Sequence, residues 1–337
     1  MSAPTATAAK PLRDHLAEDA RINAVLLAVV FAVVGGLAVS RASANVLTPT
    51  ALAVLLAGTA ATLGTMNWIN GVYGGALAAV DGTVQTPSVP IEGRDPFAAR
   101  NVWTSAVVWG ASAGAWAAAG AGLAAVALDG RRAQFIVVFV ALTGLAGTAG
   151  VVANAVARRT GIDGVRRLGV ATAPAVPLRR RAWRQLALPM AVFQFAVNAG
   201  VSVLVFHDYT TGTAPGPKTL DETVALADVG ITVLIVCCLF AYYAGRWGRA
   251  DGALGRIELD DPAAQAVPAK SPIGRQGIVY LGLIAAFVIG PLLGMLLPPG
   301  PSLLAVVLVR ATFAAVLVYL VVGVAYVRAA LNTVAVQ

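Results

Sequence analysis

Charge is scarce in this chain: 12% of its 337 residues are Asp, Glu, Lys or Arg, against about 25% in an ordinary soluble domain. With 58% hydrophobic residues beside it, that shortage excludes a soluble globular protein and makes the class integral membrane. Histidine is nearly absent. His15 and His207 both lie outside the apolar runs, which excludes paired-histidine haem ligation within the bilayer. Cysteine is confined to the adjacent Cys237 and Cys238, too few for a thiolate zinc site, and they read as small apolar residues of a helix. No haem, zinc or nucleotide cofactor is expected. The first twenty residues mix Lys10, Arg13, Asp14, Glu18 and Asp19 and end without a small-residue cleavage site, so no removable signal peptide is expected.

Apolar runs dominate what is present. Stretches long enough to cross about 30 Å of hydrocarbon occur near 22–40, 47–69, 103–128, 134–157, 185–206, 223–245, 277–298 and 302–328. The expected fold is therefore an all-α integral membrane protein of about eight transmembrane helices. Arginine placement orients it, because cytoplasmic loops retain Lys and Arg. Arg158, Arg159, Arg166, Arg167, Arg179, Arg180, Arg181 and Arg184 face the single acid Asp163 after the fourth span, which places that loop in the cytoplasm. Alternation then puts both termini inside a cell inner (plasma) membrane, with Arg41, Arg131, Arg132 and Lys218 outside and Arg310 within a span. The basic excess needs no nucleic-acid partner.

Long loops are expected on the cytoplasmic side, at roughly 70–102, 158–184 and 246–276, with a turn-rich outer connector at 207–222. Asp81 and Asp251 are 170 residues apart, as are Arg158 and Arg328, a spacing that suggests two parallel four-helix repeats. The organisation expected is a cytoplasmic N-terminal segment at 1–21, a first four-helix half at 22–160, an Arg-rich linker at 161–184 and a second half at 185–337. Parallel repeats are common in transporters with a site between the repeats.

Chemistry points to the segments after the second and sixth spans. The first offers the amides Asn67 and Asn70, the phenol Tyr73, glycines at 71, 74 and 75, and Asp81. The second offers Tyr243, Arg246, Arg249, Asp251, Arg256, Glu258, Asp260 and Asp261. Glycines let backbone N–H groups approach an anion, and carboxylates facing arginines suit a Mg²⁺–phosphate group. An Asp-Gly pair is equally an ordinary turn after a helix.

These segments resemble the UbiA superfamily of intramembrane prenyltransferases, whose members carry one Asp-rich motif after helix two and another after helix six. Leu63-Gly-Thr-Met-Asn67-Trp-Ile-Asn70-Gly-Val-Tyr73 is similar to the start of the first motif, and Val89-Pro90-Ile91-Glu92-Gly93-Arg94 to the Pro-Ile-x-x-Gly that follows it. Ala157-Arg158-Arg159-Thr160 resembles the family's Lys-Arg-x-Thr, and Asp251-Gly-Ala-Leu-Gly255-Arg256-Ile-Glu-Leu259 the end of the second motif. The motifs are degenerate. Gly71 and Gly74 stand where the first has its leading aspartates, and Tyr243 and Trp247 where the second has Asn and Asp.

The resemblance implies an isoprenoid substrate in a cavity open to the cytoplasm. One version is prenyl transfer from a prenyl diphosphate, with Mg²⁺ on Asp81 and Asp251 and with Asn67, Asn70, Tyr73, Arg94, Arg158, Arg159, Tyr243 and Arg256 around the substrate. The other is terpene cyclisation initiated by a proton from one of the same two acids. Two acids hold diphosphate-bound Mg²⁺ more weakly than the family's full set. The alternatives are a small-solute or lipid transporter with Asp228 and Arg310 lining its pathway, or a non-catalytic membrane subunit.

Three further patterns accompany this reading. Asp228 and Arg310 are candidates for a buried ion pair or a pathway. Gln194, Asn198 and Ser202 share one helix face, where interhelical hydrogen bonding is the plain expectation. Trp109 and Trp116 also share a face, suited to packing, to lipid or to the wall of an isoprenoid tunnel.

Overall fold

In a computed structural model, residues 9–22, 24–25, 49–84, 95–127, 151–165, 175–211, 239–259 and 302–334 are described. Helix accounts for 87% of them, so the all-α class stands. The elements are α1 (12–22), α2 (Pro49–Val80), α3 (Ala99–Ala127), α4 (151–165), β1 (Val176–Pro177), a π-helix (Arg180–Ala187) leading directly into α5 (Leu188–Thr211), α6 (Ala241–Ala253), β2 (Ile257–Glu258) and α7 (Leu303–Val334). Among the described residues one helix, Leu303–Val334, is long and apolar enough to cross a membrane by length and composition. Most of the spans expected near 22–40, 134–157, 223–245 and 277–298 lies outside the described residues.

Three boundaries differ from expectation. Helix α2 does not stop near 69 but runs to Val80, so Asn70, Tyr73 and the glycines lie on a helix instead of in a loop. The described part of the expected linker at 161–184 is the end of α4, the strand β1 and the start of the π-helix. Asp251-Gly252, expected as a turn like Asp81-Gly82, lies inside α6.

The reason is where each helix is capped. At the end of α2, Gly82 has φ 66°, and the N–H groups of Gly82 and Thr83 donate to the carbonyls of Ala79 (3.4 Å) and Ala78 (3.0 Å). At the end of α6, Gly255 has φ 64°, and the N–H groups of Gly255 and Arg256 donate to Gly252 (3.1 Å) and Asp251 (2.9 Å). Both are Schellman endings, in which glycine takes the left-handed residue at no steric cost. The capping glycines are 173 residues apart and the aspartates 170, so Asp251 sits almost one turn deeper in its helix than Asp81 does.

Each capped end leads into the same small device. Val84 bridges Lys10 in parallel, and Ile257 in β2 pairs in parallel with Val176 in β1. Lys10 N–H donates to Thr83 O at 3.0 Å, and Val176 N–H to Arg256 O at 3.0 Å. In both places Pro-Leu-Arg follows, at 11–13 and at 177–179, and a helix begins.

Small residues set the helix packing. A Cβ at Gly75 would overlap the Arg158 carbonyl, and one at Gly161 the Val72 carbonyl, so α2 and α4 meet backbone to backbone. Gly248 is placed in the same way against the Tyr326 carbonyl of α7. Helix α2 also packs on α3 and α6, and α7 on α5 and α6. The buried core between them includes Ile69, Val72, Tyr73, Phe97, Leu186, Met190, Trp247, Val318 and Tyr326.

The polar residues of α5 do share a face. Asn198 Nδ2 donates to Gln194 O at 2.9 Å, Ser202 Oγ to Asn198 O at 2.6 Å, and Arg310 Nη1 of α7 to Ser202 Oγ at 2.9 Å. Asp228 lies outside the described residues. Trp109 stacks on Trp68 with ring centroids 5.7 Å apart, whereas Trp116 is 71% exposed, so the two do not wall a common tunnel.

Candidate functional site

The ends of α2 and α6 meet two different environments. One is a filled polar knot. Asp251 is fully buried; its Oδ2 accepts from Arg181 Nε at 2.8 Å and from the Tyr326 hydroxyl at 2.6 Å. Arg181, itself 2% exposed, also donates to the Tyr73 hydroxyl (2.7 Å), the Phe97 carbonyl (2.9 Å) and Gln185 Oε1 (3.1 Å). Arg256 Nε lies 3.7 Å from Asp251 Oδ1, while its two terminal nitrogens grip Asp95 at 2.8 and 3.2 Å. Burial works against the charge on Arg181, but Asp251 with Tyr73 and Tyr326 more than offsets it and holds the pKa well above the ordinary arginine value. Trp247 Nε1 completes the wall by donating to Asn70 Oδ1 at 3.1 Å.

The other environment is an open cavity of about 970 Å³ whose lining includes His15, Gly74, Ala78, Asp81, Thr83, Arg158, Arg246, Arg249 and Arg328. Leu77, Ala241, Ala325 and Ala329 give it an apolar wall, beside which stand Tyr242, Asn332 and Thr333. Arg158 pairs with Asp19 of α1 and donates from Nη1 to His15 Nε2 at 3.1 Å. A guanidinium can only donate, so the His15 proton sits on Nδ1. Burial, then Asp19 against it and Arg246 with it, leave the Arg158 pKa below its ordinary value. Asp81 is at the rim, 45% exposed in its side chain and 3.8 Å from Arg249.

The expected site residues divide between these places. Asp81 and Arg158 line the cavity; Tyr73, Asp251 and Arg256 belong to the knot. Asn67 is buried and its carbonyl accepts from Asn154 Nδ2 at 3.1 Å. Tyr243 is buried with its ring against Tyr242. Arg159 points away, 70% exposed and 3.9 Å from Asp163. Arg94 lies outside the described residues.

The metal implied by the family resemblance does not fit these groups. Both Asp251 oxygens face arginines in the knot, and among the described residues Asp81 is the one carboxylate lining a cavity whose other charged groups are arginines. Among the described residues no three His, Cys, Asp or Glu side chains come together.

Sequence reasoning overlooked Arg181, Tyr326, Asp95, His15 and Asp19. In the sequence, membrane orientation alone accounts for Arg181, and orientation with the family resemblance for Arg158, yet both are buried partners of specific acids. The repeated Pro-Leu-Arg was the available signal, since it places His15 and Arg181 at the same distance from their bridges.

Burial and then the Arg158 charge lower the His15 pKa from 6.5, against the opposing pull of Asp19 and Glu18 and with a further push from Lys10. The undocked helix therefore takes up a proton before the docked one does, and docking of α1 weakens as pH falls below about 6.5. Hydrogen exchange of amides 12–22, corrected for intrinsic rates, should show less protection at pH 5.5 than at pH 7.5. Equal protection would mean that His15 titration is not coupled to docking.

Comparison of the chain with protein-family models, with curated proteins and with solved structures gives no match.

Proposed function

We propose that the protein is a divergent UbiA-like membrane enzyme acting on an isoprenoid, with the anionic head of its substrate in the cavity between α2, α4, α6 and α7. The observation that carries this reading is the composition of the cavity: guanidinium groups of Arg158, Arg246, Arg249 and Arg328 beside an apolar wall. A prenyl diphosphate has the complementary make-up, an anionic head on a hydrocarbon tail. Asp81 is the one carboxylate lining the cavity among the described residues, so it is the acid assigned to proton transfer during prenyl transfer or cyclisation.

The eight-span bundle of two parallel halves belongs to the same proposal, as does its place in the plasma membrane. Its support is the apolar character of exposed helix faces: Leu304, Leu308, Val316, Leu320 and Val324 on α7, Val107, Val108 and Trp116 on α3, and Leu188 and Val192 on α5. Contiguous exposed apolar surface of this kind marks contact with lipid or a partner.

The test is to incubate membranes carrying the protein with prenyl diphosphates of several lengths and to identify products by mass spectrometry. Asp81→Ala should lower product formation by roughly 10²–10⁴-fold, the usual range for loss of a general acid or base. Full activity in that variant would remove Asp81 from the mechanism, and no product from any donor would sink the enzyme reading.

A further inference from the structure

The knot and the cavity are equivalent places in the two halves. The bridges equate Lys10 with Val176 and Val84 with Ile257, which carries His15 onto Arg181 and Asp19 onto Gln185 along the chain. The capping glycines equate Gly82 with Gly255, which carries Gly74 onto Trp247, Ala78 onto Asp251, Thr83 onto Arg256 and Tyr73 onto Arg246. The packing glycines equate Arg158 with Tyr326, since Gly75 sits on the carbonyl of the first and Gly248 on that of the second. The exchange is reciprocal: α2 lends Tyr73 to the knot and α6 lends Arg246 to the cavity. His15, Gly74, Ala78, Thr83, Arg158 and Arg246 all line the cavity.

Two of the exchanges between the twins open space for a ligand. Where the knot is filled by the Trp247 ring and the Asp251 carboxylate, the cavity has Gly74 and Ala78. A Cβ at Gly74 would lie 3.1 Å from Arg246 Nη2 and 3.2 Å from Arg158 Nη2, so both guanidinium groups face the emptied space. In the knot a carboxylate from the chain neutralises the arginine from this point; among the described residues none stands at the equivalent point of the cavity, where Asp19 pairs with Arg158 from α1 instead.

We infer that the cavity is an oxyanion site that works without a metal, and that its ligand places a phosphate or carboxylate beside Ala78, where the Asp251 carboxylate stands in the twin. Arg158 and Arg246 hold the anion through charge-assisted hydrogen bonds. The inference shares with the enzyme reading only the assumption that this cavity takes a ligand. It does not depend on isoprenoid chemistry.

The experiment titrates purified full-length protein in neutral detergent with inorganic pyrophosphate, phosphate and, separately, phosphatidylglycerol micelles, at fixed ionic strength in EDTA and again with Mg²⁺. Binding should occur in EDTA and weaken about tenfold or more in Arg246→Gln, the scale of one charge-assisted contact. Ala78→Asp, which restores the twin's carboxylate, should abolish binding and raise the thermal midpoint. Thr333→Asp adds the same charge elsewhere in the cavity and should weaken binding less. A response to phosphatidylglycerol alone identifies a lipid head group as the source; a response to soluble anions identifies a free ligand. Binding only with Mg²⁺, no binding in any arm, or equal losses in Ala78→Asp and Thr333→Asp would overturn the inference. Metal-free binding without prenyl product would sink the isoprenoid reading alone, and prenyl product without metal-free binding would sink this inference alone.

Discussion

Asp251→Ala should cost about 3–5 kcal/mol of stability, the usual penalty for leaving a buried charge uncompensated. Arg181 would keep its charge with the Tyr73 hydroxyl, the Phe97 carbonyl and Gln185 as its remaining partners, and Tyr326 would lose the acceptor it now holds at 2.6 Å. Because native stability is about 5–15 kcal/mol, most of the variant should fail to accumulate in membranes. The double variant Asp251→Leu with Arg181→Met should recover much of the folded protein, since replacing a whole buried pair by apolar groups is often neutral or better. Expression and thermal unfolding in detergent measure both. A metal ligand or proton donor at 251 behaves otherwise: Asp251→Ala would fold and lose only activity. That outcome would return Asp251 to the chemistry and take it out of the scaffold.

The second large effect is expected at the seam between α2 and α4. Gly75→Ala and Gly161→Ala each place a methyl group on a backbone carbonyl of the facing helix, Arg158 and Val72 respectively. Backbone cannot step aside as a flexible side chain can, so each change should cost about 1–3 kcal/mol by overpacking, and more where the helices cannot separate. Alanine also favours an isolated helix by roughly 1 kcal/mol over glycine, which partly offsets the clash. Gly58→Ala and Gly200→Ala isolate that opposing effect, because nothing lies within 4 Å of a Cβ at either position. These two should be neutral or stabilising while the seam variants lose stability. Similar midpoints for all four would mean that the helices do not meet as closely as described.

How much of this was legible in the chain depends on the kind of interaction. Apolar runs announce helices through composition, so α2, α3, α5 and α7 were expected close to where they are. Their ends were harder to find. Asn70 to Val80 is glycine-rich enough to read as a loop, yet its glycines serve packing against α4, and the helix stops only where Gly82 supplies a left-handed residue. The 170-residue spacing of the aspartates suggested equivalent acids, but the equivalence runs through the capping glycines, three residues out of step. Asp251 gave no sign of its partner because Arg181 is one of a cluster at Arg179, Arg180, Arg181 and Arg184, and charge alone does not say which of them turns inward. Tyr326, in an apolar helix, carried no signal beyond its hydroxyl.

The π-helix at Arg180–Ala187 acts on the phase of everything that follows it. Its counterpart α1 is α-helical at 12–22, whereas i→i+5 bonding takes one additional residue into a turn. Arg181 is held by its proximity to the β1 anchor, but the stripe Gln194, Asn198 and Ser202 lies downstream of the widened turns. Closing those turns to α-helical bonding with every residue retained would shift the phase of α5 by about 100°, the rotation per residue at 3.6 residues per turn. The stripe would then face away from Arg310, which now bonds Ser202 Oγ at 2.9 Å. The wide helix thus works as a clutch between two polar alignments that a plain α-helix would satisfy only one at a time.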